Sequence, residues 1–169
     1  NEQTNIQERR ELPSYKRAIN EAQREAVAAR VSGSLEMCER IGYDVGTWVR
    51  EGLVDILIPA AGASTDPLID VMGFVDLCRG TDVVVYPGLD AQVPGNATGP
   101  ENAYQKDAML NRGIANRFHQ DGAHGIYSFH WHADRSPRRG LRTLLGSPQT
   151  LRCQDKIYAA THRIVVKEG

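Results

Sequence analysis

Short, almost purely apolar runs alternate along this chain with longer stretches of helical periodicity. "LVDILIP" (53–59) and "DVVVYPG" (82–88) show little polar alternation. That is the pattern of strands covered on both faces. "HGIYSFHW" (124–131) is a third strand candidate, and "VAARV" (27–31) is a fourth, weakened by its alanines. Between them lie helices. "SYKRAINEAQREAVAARV" sets Tyr15, Ala18, Ile19, Ala22 and Ala26 on one face, so the first 26 residues are expected to be helical. Ser34 and Gly42 bracket the next helix as N-cap and stop. Residues 44–52 give a further turn or two, ended by Gly52. "DPLIDVMGFVDLCRG" (66–80) starts with Asp66 as N-cap and proline at the first helical position, and stops at Gly80. A long loop from Leu89 precedes a helix over 101–120. Leu110, Ile114 and Phe118 mark its buried side, and Gly122 ends it.

The junctions repeat. "REGLVDILIP", "CRGTDVVVYPG" and "QDGAHGIYSFHW" are three copies of one helix–glycine–strand unit, and "REAVAARV" is a degenerate fourth. The first two of these start about 28 residues apart. Successive βα units require parallel strands joined by right-handed helical crossovers. A doubly wound open sheet and a (β/α) barrel both satisfy this. The barrel is favoured, because no glycine-rich phosphate loop follows any strand and the polar and aromatic residues gather after strand C-termini. A complete barrel needs at least roughly 200 residues. With 169 residues and four strand candidates, the expected fold class is α/β: a parallel βα repeat forming a partial, half TIM-type (β/α)8 barrel. Such a half leaves two apolar edges to cover. A homo-oligomer or the remainder of a longer chain would cover them.

Composition narrows the functional classes. The net charge is −1, which points to neither nucleic acid nor anionic lipid. No apolar run approaches the roughly 20 residues that span a bilayer, so no membrane association is expected. The N-terminal stretch has no apolar signal core; secretion or periplasmic export would require a signal already removed. Cys38, Cys78 and Cys153 form no CxxC pair and are odd in number, which suggests reduced, mostly buried thiols. "RSPRRGLR" (135–142) reads as a solvated loop, and "NAT" (96–98) matches a glycosylation tripeptide.

The stretch from "RVSGSLEMCERIGYDVGTWVREGLVDILIP" through "GIYSFHW" to "GSPQTLRCQDKIYAATHR" resembles bacterial glycoside-hydrolase-like (β/α)-barrel proteins. "WVREGLVDILIP" and "DGAHGIYSFHW" carry most of the likeness. The resemblance implies that the four strands are the fifth to eighth of a barrel. Residues 1–145 are then the partial barrel with its leading helix. Residues 146–169 leave it toward a β-rich C-terminal region. The implied activity is hydrolysis of O-glycosidic bonds, with a carbohydrate ligand and no cofactor. The first four strands, which in many such enzymes carry the acid/base glutamate, are absent from the sequence.

Asp90 follows the third strong strand, beyond the Pro87-Gly88 corner, and is the candidate catalytic carboxylate. The plain alternative is a loop aspartate capping a turn. Trp131 can offer a flat platform to a sugar ring or fill a core. His130 and His132 share the other face of that strand. An H-x-H pair can hold zinc, but further ligands at useful spacing are wanting, so no metal is assigned. Arg30 and Tyr86, late in their strands, are lesser candidate contacts. A non-catalytic, carbohydrate-binding or self-associating half-barrel is the alternative function.

Overall fold

A computed structural model describes residues 26–61, 65–90, 103–129 and 136–158. The helix expected over residues 1–25 lies outside them, as do His130, Trp131 and His132. The elements run β1 (Ala28–Val31), α1 (Leu35–Arg40), α2 (Val45–Arg50), β2 (Ile56–Pro59), α3 (Val71–Leu77), β3 (Val84–Val85), β4 (Gly88–Asp90), α4 (Ala103–Gln120), β5 (Tyr127–Phe129), α5 (Ser136–Leu145) and α6 (Pro148–Leu151). The chain is an α/β protein, and among the described residues every strand pairing is parallel.

β1, β2 and β3 form one sheet in that order, and β4 pairs with β5. Arg30 stands opposite Ile58, Ile56 opposite Val84, and Asp90 opposite Phe129. The expected single strand over 82–88 is thus divided. Pro87 has no N–H, and its carbonyl faces β5, accepting from the Tyr127 N–H at 3.1 Å. The missing donor on that side interrupts the ladder. Hydrogen bonds bridge the gap: the Tyr86 N–H donates to the Leu57 carbonyl at 2.8 Å and the His124 N–H to the Val85 carbonyl at 3.0 Å. β1, β2, the β3–β4 segment and β5 therefore follow one another in chain order.

Alternation along the strands splits the residues between two faces. Val31, Leu57 and Val85 are buried with Cys38 of α1, Val45 and Val49 of α2 and Phe74 of α3. Leu89 is buried with Ala115 and Phe118 of α4, Leu141 and Leu145 of α5 and Leu151 of α6. These odd-numbered strand residues form the helix side. The even-numbered ones, from Arg30 to Asp90, look the other way.

Local signals explain the ends. Ser34 caps α1 by accepting from the Met37 N–H, and Asp44 caps α2 through the Thr47 N–H. Gly42, Gly52, Gly80 and Gly122 all take positive φ just past a helix, a conformation open to glycine at no steric cost.

Three expectations need correction. α3 starts at Val71 with Asp70 as its N-cap, its carboxylate accepting from the Gly73 N–H. Asp66 instead closes a local turn on the Leu68 N–H at 2.7 Å. The Asp70 N–H is held by the Gly33 carbonyl at 2.9 Å and Ile69 is fully buried, so the chain cannot coil before Asp70. The presumed solvated loop over 135–142 is largely helix α5. Leu141 and Leu145, one turn apart, bury against α4, and that apolar stripe outweighs the arginines. Asp90 lies within β4, and Pro87-Gly88 is a break in an extended segment with no reversal of the chain.

Beyond α5, residues 146–158 lie against α4. The Ile157 N–H donates to the Met109 carbonyl at 3.1 Å and Asn116 donates to the Tyr158 hydroxyl at 3.1 Å. A Cβ on Gly113 would overlap the Ile157 carbonyl, so this close approach requires glycine there.

Candidate functional site

β4 and β5 set the site. Asp90 is 4% exposed, which is unusual for an aspartate. The hydroxyl of the fully buried Thr65 holds its backbone from both sides, accepting from the Asp90 N–H at 2.7 Å and donating to the Asp90 carbonyl at 2.9 Å. The residue thus sits on a fixed stretch of strand, at the strand's C-terminal end and away from the helices.

Phe129 is the register partner of Asp90, so the two side chains stand side by side on one face. The ring of Tyr127, two residues earlier on that face, lies 6.4 Å from the Phe129 ring in a stacked arrangement. Arg30 reaches over from β1. Its guanidinium carbon is 4.6 Å from the Phe129 centroid, and the same group donates to the Ala61 carbonyl at 2.6 Å. Gly88 and Ala60 close the floor between them, since a Cβ on Gly88 would lie 2.6 Å from the Ala60 Cβ. Tyr86 is half-buried on the same strand face, its ring against Gly125.

The structure thus brings together Asp90, Arg30 and Tyr86 on one side of the parallel strands. It adds Phe129, Tyr127 and Thr65, which the sequence reading did not single out. The alternation of "YSF" was a usable signal for the first two. Nothing local marks Thr65, which meets Asp90 from 25 positions away.

A cleft of about 540 Å³ opens at the C-terminal ends of β1 and β2, with Arg30, Ala60 and Asp66 in its wall. Parallel α/β folds bind ligands at this end of the strands. Two histidines serve structure instead. His124 Nδ1 accepts from the Val85 N–H at 3.2 Å, and His119 Nε2 bonds the Leu145 carbonyl at 2.9 Å. Among the described residues no group of three or more His, Cys, Asp or Glu is placed to hold a metal ion, and no helix is long and apolar enough to cross a membrane.

Cys38 and Cys78 are buried and Cys153 is exposed, all three free. Burial pushes the Cys78 thiol up to about 11 and raises that of Cys38 as well. Neither thiol is activated for nucleophilic chemistry. No protein-family model and no curated protein matches the chain.

Chemically, the site offers one buried carboxyl group, one guanidinium and a pair of stacked rings around a recess. Such a set can hold a polar ligand with an apolar face.

Proposed function

We propose that this chain is half of a (β/α)8 barrel of glycoside-hydrolase type, with a carbohydrate ligand and Asp90 as a carboxylate that acts on it. The fold part rests on strand order. Parallel strands in simple succession, with the described helices packed on one face, suit a barrel segment; a doubly wound sheet covers both faces. The four strand segments amount to half of the eight in a closed barrel.

One observation carries the functional part: Asp90 is the single carboxylate among the described strand residues, and it sits buried at a strand C-terminus beside an aromatic ring. Glycoside hydrolysis uses two carboxyl groups across the scissile bond. Asp90 is one. The second comes with the strands that complete the barrel, whether from the remainder of a longer chain or from another copy. Phe129 backs the Arg30 guanidinium, and Arg30 and Tyr86 approach the hydroxyls of a sugar.

The test is turnover of a panel of aryl glycosides and polysaccharides by the protein and by Asp90→Asn. Hydrolysis that falls by about 10²-fold or more in the variant, as for loss of a general acid or base, supports the proposal. Equal hydrolysis by both proteins removes Asp90 from the chemistry. The single carboxylate also favours a second reading, saccharide binding without hydrolysis. In that case Asp90→Asn weakens binding in a protein that turns over none of the panel.

A further inference from the structure

The cleft beside the Asp90 cluster has a composition of its own. Met37, Ile41, Tyr43 and Leu68 line it and are 41%, 52%, 40% and 51% exposed. Four of the nine large apolar side chains exposed among the described residues therefore face one recess. Single exposed apolar residues need no explanation, but a cluster around a concavity at a strand mouth does. The Tyr43 ring is fixed from behind by Trp48, with centroids 5.5 Å apart, so it offers a surface that need not be ordered on binding.

The rest of the lining is polar. Arg30 and Asp66 bring one charge of each sign, and the Ser34 hydroxyl, which accepts from the Met37 N–H, still has a proton to donate. With one charge of each sign, the lining has no net charge to favour a strongly ionic ligand. Apolar walls over a polar lining fit a molecule with flat C–H faces and hydroxyl edges. Arg30 and Ala60 line the recess and also border the Asp90 cluster, so the two are neighbours. Arg30 lies over Phe129, the register partner of Asp90, and Ala60 abuts Gly88.

We infer that this cleft is an extended subsite for neutral oligosaccharide, holding further sugar units of a chain whose end reaches Asp90. The inference rests on the proposed function and deepens it. The ligand is a glycan chain, and affinity comes from its length as well as from the unit at Asp90. Ile41 and Leu68 supply apolar contact to the distal units, and Tyr43 supplies a platform.

Calorimetric titration tests this with linear oligosaccharides of one to five units, in β-1,4-linked glucose, xylose and mannose and α-1,4-linked glucose. The proteins compared are the unaltered chain, Ile41→Ser, Leu68→Ser and Asp90→Asn. Both serine variants replace side chains more than half exposed, so folding is retained. The expected result is affinity that rises with chain length in one series, and about tenfold weaker binding of the longer members to Ile41→Ser and Leu68→Ser, matching one lost apolar contact. The single-unit glycoside binds all but Asp90→Asn alike. Binding that depends on Asp90 but not on chain length, or that neither serine variant weakens, overturns the subsite and leaves the proposed function standing. No binding of any series, with Asp90→Asn indistinguishable from the unaltered chain, overturns both.

Discussion

The guanidinium of Arg30 lies 4.6 Å from the centre of the Phe129 ring, so a residue of the first strand rests on a residue of the last. Two strand segments separate them in pairing order. In a flat sheet with strands about 4.8 Å apart, side chains standing upright on these positions would not meet. Arg30 therefore leans across the face that these strands share.

That contact has a measurable energy. A double-mutant cycle with Arg30→Met and Phe129→Leu, read by urea unfolding, is expected to give a coupling of about 0.5–1 kcal/mol, the range for a cation–π pair at an exposed site. A coupling near zero would show the two groups to be neighbours without attraction.

Gly88 has no space for a methyl group, since an added Cβ would lie 2.6 Å from the Ala60 Cβ. Gly88→Ala should destabilise the fold by about 1–3 kcal/mol, as overpacking does. Ala60→Gly in the same molecule should recover much of that loss, because it removes the atom in the way. Thermal unfolding of the single and double variants checks both statements.

Much of this architecture was legible in the sequence because its signals are local. Apolar runs gave β1 and β2 near their observed places. Ser34 gave the start of α1, and the four glycines gave the helix ends. What misled were features settled by distant partners. Asp66 and Asp70 look alike as caps, and Gly33, from another loop, decides between them. The arginines of α5 hid the Leu141–Leu145 stripe that α4 covers. Arg30, Tyr86 and Asp90 were singled out in the sequence, but Thr65 and Phe129 were not, because they meet Asp90 only through the fold. Asp70→Ala should accordingly cost about 1 kcal/mol, the usual value of an N-cap, measured by chemical unfolding.

The thiols give a pH-dependent prediction. Burial raises Cys78 from 9.0 to about 11. In the unfolded chain the thiol ionises at its ordinary value, so the folded state binds more protons between these values. Stability is complete below about pH 9 and declines as pH rises toward 11. Cys78→Ala should flatten that decline in alkaline unfolding curves. In native protein at pH 8 a thiol reagent should label exposed Cys153 first, and Cys78 only on unfolding.

Thr65 is the tie that fixes Asp90, and its two hydrogen bonds can be removed without changing its shape. Valine is nearly isosteric with threonine but can neither accept from the Asp90 N–H nor donate to its carbonyl. Both groups are buried, so Thr65→Val should cost about 1–3 kcal/mol, the penalty for leaving a buried polar group unpaired. Thr65→Ser keeps the hydroxyl and loses a methyl group, so it should be milder. A positioning role predicts more than lost stability. Saccharide affinity or turnover should fall in Thr65→Val under conditions where it is fully folded, and return in Thr65→Ser. If both variants are equally stable, or if folded Thr65→Val handles ligand like the unaltered chain, the hydroxyl does not hold Asp90 in place.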